Sequence, residues 1–298
     1  MAGDGERGSG SRGVIHDLGY LPYRGPRRGE GAIAWALVLT GLRNAFGIGR
    51  SGRSKVLPFV LLSLNLLPAV IVAGILVFIG LDDLPIGYAA YASTTQVLLG
   101  IFVAAQAPVL FSRDLRYGSI TLYLARPLRS STYALARAGS LLAATLVFLL
   151  LPILVLYAVA LLGELDFGEQ TRDAAVAVVL VVLLALSLTG VAGLISAWST
   201  RRGFAVVGTI AVLLVGNGLV SAVQGVAVSE GDREVAEVAG LFTPYSLYRG
   251  LVGAWADEGG VAPPSSGGME FLYVLVFVGL SLACLAALVL RYRKVART

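Results

Sequence analysis

Six stretches of this sequence, at residues 57–81, 89–111, 138–162, 174–198, 204–228 and 271–290, contain no Asp, Glu, Lys, Arg or His. A helix needs about 20 apolar residues to cross the hydrocarbon core of a bilayer. At about 1.5 Å per residue, each stretch reaches roughly 30 Å or more. Only helices and closed barrels satisfy their backbone groups in lipid. The expected fold is therefore an all-α membrane protein with six transmembrane helices. Composition agrees: 57% of residues are hydrophobic and 14% are charged, where ordinary globular domains carry roughly 25% charged.

The charges that remain are sorted along the chain. Twenty of the 23 Lys and Arg precede the first span, lie between spans two and three or four and five, or follow the sixth. The opposite connections keep Arg172, Arg233 and Arg249, and carry 13 of the 18 acids. Basic residues stay on the cytoplasmic side, so both termini are expected in the cytoplasm, with the chain multi-pass in the cytoplasmic membrane. An even number of spans agrees with that. The net charge of +5 follows from this sorting and is no sign of nucleic-acid binding.

Residues 1–31 form a Gly- and Arg-rich tail with no apolar core of a cleavable signal peptide. The tail reads as a loosely ordered cytoplasmic segment ahead of a permease-like domain at 32–298. Within it, LGYLPYRGPRR holds two prolines and disfavours a helix. Residues 32–46 are patterned as a helix whose stripe is Trp35, Val38, Leu39, Leu42 and Phe46. Its uncharged part is too short to span, so it is expected to lie flat at the inner leaflet. The long outer connection, 229–270, begins with charges and ends in a Gly/Pro/Ser linker at 259–268. Between them Pro244 divides two short helices, one carrying Tyr248, Leu251, Val252 and Trp255 on a shared face. These are expected to rest at or dip into the outer leaflet.

Several chemistries find no support. Ion-coupled carriers usually keep ionisable groups within the membrane. Here the polar residues of the spans are mild; Asn65, Gln96, Gln106, Asn217 and Gln224 either bond between helices or line a pathway. Pro68, Pro108 and Pro152 are expected to kink their spans. The glycines of GIGRSG (Gly47–Gly52) lack the preceding strand that a phosphate-cradling loop needs, and Arg53 is no equivalent of the P-loop lysine. They read as a basic hinge. His16 has no partner within reach by spacing. The single cysteine, Cys284, sits in an apolar run and offers neither a disulfide nor a metal cluster. No cofactor is expected in this chain.

The stretch Ser112–Arg137, SRDLRYGSITLYLARPLRSSTYALAR, is a basic island between two membrane-length segments. It divides into an extension of span two ending at Gly118, a short amphipathic SITLYLARP, and a Ser/Thr restart into span three. Taken on its residues alone, it is either a solvated positive-inside loop or a short transverse lever.

This arrangement resembles the permease subunits of type-2 ATP-binding-cassette (ABC) exporters. The points of likeness are an R-D/E-x-x-x-G turn, a short apolar helix, an R-P-L step and a Ser/Thr-rich restart. The six-span topology, the interfacial helix before span one and the outer pair of short helices before span six match as well. The resemblance covers roughly residues 32–294. It departs at Asp114, where glutamate is commoner, and in the Gly-rich tail. It implies a coupling helix docked on separate ATPase subunits, which would carry ATP and magnesium and perform the hydrolysis, so that this chain is not itself the enzyme. The contact would fall on Arg113, Asp114, Arg116, Tyr117, Gly118, Leu122, Tyr123, Arg126 and Pro127. It also implies a second permease subunit, identical or similar, and export of a hydrophobic or amphipathic substrate. Two rival readings stay open. One is force transmission without transport to an extracytoplasmic partner at 229–270. The other is an ion-coupled carrier, which the charge-free spans disfavour.

Overall fold

The computed structural model describes Gly25 and residues 29–79, 83–116, 128–199 and 201–296. Among these residues the fold is all helical, and six helices are long and apolar enough to cross a membrane. The expectations for most of the tail and for the transverse segment 117–127 fall outside the described residues.

Helix α1 (Glu30–Ala45) lies along the third span, α6 (Ser130–Leu162). The stripe predicted for it is only partly the one buried. Leu37, Gly41, Ala45 and Phe46 face inward, while Trp35 is 63% exposed and Leu39 is exposed beside it. Small residues decide this. A Cβ on Gly41 would stand 2.2 Å from Ser140 Oγ, so the two backbones approach only along this Gly/Ala face. The bulky Trp35 and Leu39 are turned outward. Glu30 fastens the beginning of α1 to the beginning of α6, accepting from Thr132 Oγ1 (2.6 Å) and the Arg129 amide (3.2 Å).

The first span is α2 (Gly52–Ile79). Pro68 lies inside this helix, which runs unbroken past it. The Tyr91 hydroxyl donates to the Asn65 carbonyl and accepts from the Ala69 amide (3.2 Å), and so ties the backbone beside Pro68 to α3 (Tyr88–Thr94).

The second span is not one helix from 89 to 111. It is α3 (Tyr88–Thr94), α4 (Gln96–Leu110) and α5 (Ser112–Arg116), with breaks at Thr95 and Phe111. Thr94 and Thr95 both turn their hydroxyls back to carbonyls four residues earlier. That local competition weakens helix continuity.

The fourth span, α7 (Phe167–Trp198), is the central post of the bundle; it packs against spans two, three and six. The fifth runs as α8 (Arg202–Ile210), a π-helical turn (Ala211–Val215) and α9 (Gly216–Ser229). The sixth is α12 (Gly267–Val295). Spans one, three, four and six extend several residues beyond the charge-free stretches at their starts, and two and six at their ends. Of the most apolar window in each span, 56% is buried in the fourth, 28% in the first and 17% in the fifth.

The outer connection folds more firmly than its sequence implies. It contains α10 (Arg233–Ala239), a 3-10 turn (Gly240–Phe242) and α11 (Pro244–Trp255). Pro244 occupies the first turn of α11 behind a Thr243/Ser246 capping box. Tyr248, Leu251 and Val252 are fully buried, as are Tyr245 and Leu247. Helix α11 is therefore inserted among spans four, five and six and α3, where an interfacial position was one expectation. Gly250 packs directly on the Tyr273 ring, and a Cβ there would meet Cε1 at 2.3 Å. The linker at 259–268 folds back: Ala262 is buried, the Pro263 carbonyl accepts from Arg233 (3.4 Å), and Ser265 bonds Glu237 (3.1 Å).

Candidate functional site

The spans alternate in direction, and one end of the bundle gathers the basic residues. Cavities there are lined jointly by the start of α2, the end of span two and the start of α8. Ser112 Oγ donates to the Ser196 carbonyl (2.6 Å) and so brings in the end of span four. Tyr292 Oη donates to the Phe111 carbonyl (3.4 Å) and brings in the end of span six. The start of span three arrives through a buried ion pair. Arg137 Nη2 lies 2.5 Å from Asp114 Oδ2, Arg137 Nε donates to Tyr133 Oη (3.1 Å), and Tyr133 Oη donates to the same carboxylate oxygen. The Tyr133 ring also packs against Tyr292, with centroids 5.6 Å apart. Asp114 and Arg137 are 5% and 3% exposed.

This cluster stands at the root of the basic stretch. In sequence, Asp114 comes shortly before residues 117–127 and Tyr133 shortly after them. Of the residues assigned to a coupling surface, Asp114 faces inward into this cluster. Arg113 and Arg116 line a basic groove with Arg50 and Arg202. Tyr117, Gly118, Leu122, Tyr123, Arg126 and Pro127 lie outside the described residues.

The five mild polar residues do not form one pathway. Asn65 Nδ2 donates to the Phe148 carbonyl (2.8 Å) and joins spans one and three. Gln224 Nε2 donates to the Ala236 carbonyl (3.0 Å) and holds α10 to span five. Gln106 is buried beside the basic groove. Only Gln96 and Asn217 meet, with 3.5 Å between Oε1 and Nδ2. Around them α11 adds groups that sequence reasoning did not assign to a site. Tyr245 Oη donates to the Gln96 carbonyl (3.1 Å), Thr243 Oγ1 to Asn217 Oδ1 (3.2 Å), and Arg249 Nη2 to Ser221 Oγ (2.7 Å) and Asn217 Oδ1 (3.4 Å). Arg249 Nε is buried without a described partner. Asn217, two residues past the π-helical turn, is buried.

Sequence reasoning also missed the Tyr133–Arg137 pair. Its signal was present: two residues four apart, on a helix extended backward from the apolar run, meet on one face. The glycine-rich turn at 47–51 joins helix to helix, with Gly47 and Gly49 at positive φ (69° and 81°). A helix, not a strand, precedes it.

No protein-family model matches the chain, and no curated protein matches it.

Proposed function

We propose that this multi-pass membrane protein is the permease subunit of an ABC transporter, working as an exporter with both termini in the cytoplasm. Separate ATPase subunits would bind ATP and magnesium and push on residues 117–127. The observation that carries this reading is the Asp114–Arg137–Tyr133 cluster. It locks together the two helix ends between which that segment is strung. A displacement of the segment would therefore move spans two and three as a unit, with Tyr292 passing the motion to span six. Helix α1, pinned to span three through Glu30 and Gly41, would follow.

The low burial of span five, 17% in its most apolar window, leaves a face that a second permease subunit, identical or similar, would cover. The predominantly apolar surfaces of the spans suit a hydrophobic or amphipathic substrate. The test is isolation of the tagged full-length protein from its native membranes. An ATP-hydrolysing chain should accompany it, and Tyr123→Ala or Arg126→Glu should abolish substrate-stimulated hydrolysis without reducing insertion. Unaltered stimulation in those variants would remove the lever assignment. Transport by the chain reconstituted alone would remove the whole reading.

A second reading, force transmission to an extracytoplasmic partner, is favoured by one feature. Val235, Val238 and Phe242 form an exposed apolar row on the folded outer connection, with Phe242 74% exposed. Phe242→Asp would then release that partner while leaving any transport intact.

A further inference from the structure

At the basic end of the bundle, two adjoining cavities of about 210 and 400 Å³ share Arg50, Val109 and Arg202 in their walls. Arg113 lines one lobe and Arg53 the other. Among the described residues, no Asp or Glu lines either lobe. Burial, and then the charges of Arg113 and Arg202, push the pKa of Arg50 down. Arg50, on the turn just before span one, thus faces the like charges of Arg113 at the end of span two and Arg202 at the start of span five across a small groove. Two helix starts aggravate the repulsion. Helix α2 begins at Gly52 and α8 at Arg202, both beside the groove. Each adds the positive end of its dipole. Such a concentration of positive charge is costly to fold unless an anion occupies it.

The walls indicate what carries the anion. Leu57 lines the groove, and from it an exposed apolar row continues along span one through Val60, Leu64 and Leu67. A ligand with its charge in the groove and an apolar body along that row would satisfy both surfaces. We propose that the groove is a binding site for the phosphate of an anionic phospholipid, held by Arg50, Arg113 and Arg202, with its acyl chains against span one. The site needs no residue of 117–127 and stands independently of the transport reading.

The test uses full-length protein from mixed micelles holding equal amounts of phosphatidylglycerol and phosphatidylcholine, with retained lipid read by native mass spectrometry. Wild type should keep phosphatidylglycerol in preference. Arg50→Gln/Arg202→Gln should weaken that retention about 30-fold. Arg50→Lys/Arg202→Lys should keep most of it, and Arg293→Gln/Lys294→Gln, which removes two exposed charges elsewhere at the same end, should leave it unchanged. Equal retention in the glutamine variant and wild type would overturn the proposal. So would equal thermal stabilisation of wild type by inorganic phosphate and by phosphatidylglycerol, because the site would then serve a free anion. If the glutamine variant does not fold, wild type is measured at rising sodium chloride. Retention of phosphatidylglycerol must fall with salt while that of phosphatidylcholine does not, and salt-independent retention would equally reject the site.

Discussion

Arg137, two turns into the third span, reaches Asp114 at the end of the second with 2.5 Å between Nη2 and Oδ2, and both side chains are withdrawn from solvent. Charges sequestered in this way are costly singly and tolerable only together. Asp114→Asn or Arg137→Met alone should lower stability by about 3–5 kcal/mol, by stranding the other charge. The double variant Asp114→Asn/Arg137→Met should recover most of that loss. A double-mutant cycle on thermal unfolding in detergent checks it, and additive losses would show that the two charges do not depend on each other.

The closest approach of α1 to the third span is at Gly41. Gly41→Ala would place a Cβ 2.2 Å from Ser140 Oγ and 2.6 Å from Ser140 Cβ. Overpacking of this kind costs about 1–3 kcal/mol. The expected outcome is a less stable protein with α1 more open to protease, restored by adding Ser140→Gly. Failure of that second change to restore protection would place the contact elsewhere.

Tyr91 bridges the Asn65 carbonyl and the Ala69 amide beside Pro68 in span one. Tyr91→Phe leaves the Ala69 amide and the Asn65 carbonyl without that bridge in an apolar setting. The loss should be about 1–3 kcal/mol. Faster hydrogen exchange should be confined to the amides around Ala69, and exchange that quickened uniformly along span one would argue against the bridge.

Glu258, beyond the end of α11, caps a helix from which it is far removed in sequence: its Oε2 accepts from the Ala90 amide (2.6 Å) near the start of α3. Burial raises its pKa above the ordinary value of 4.5, and the amides of Ala90 and Ala89 offset only part of that. A carboxyl whose pKa is higher folded than unfolded stabilises the fold fully below the unfolded pKa. That contribution is lost as pH rises through the folded pKa. Wild type should therefore lose stability as pH rises from about 4.5, and Glu258→Gln should flatten this part of the profile. Thermal midpoints across that range check it; an unchanged slope in the variant would assign the titration to another group.

The membrane architecture was legible because lipid imposes a one-dimensional rule. A charge-free run of sufficient length has few alternatives, and all six runs became spans. Pro244 was legible as a boundary because a proline starts helices as readily as it stops them. The break in span two was not. Thr94 and Thr95 are ordinary residues in an apolar run, and only their return bonds to Ala90 and Tyr91 mark the fracture. The buried face of α1 was misread for a related reason. Hydrophobic periodicity favours the largest side chains, whereas between closely packed helices the smallest ones set the contact, here Gly41 and Ala45. The linker at 259–268 was read as loose because its composition is loose, yet Pro263 and Ser265 are held by Arg233 and Glu237, about thirty residues earlier.

By itself the sequence determined that six helices are long and apolar enough to cross a bilayer and which connections carry the positive charge. Both are consequences of moving residues from water to hydrocarbon, a cost each residue bears almost independently of its neighbours. Tertiary structure alone decided which polar groups meet: Asp114 with Arg137, Arg249 with Ser221, and Arg50 with Arg113 and Arg202 around one groove. Those encounters depend on helix rotation and packing distance, and both are set by side chains many residues away.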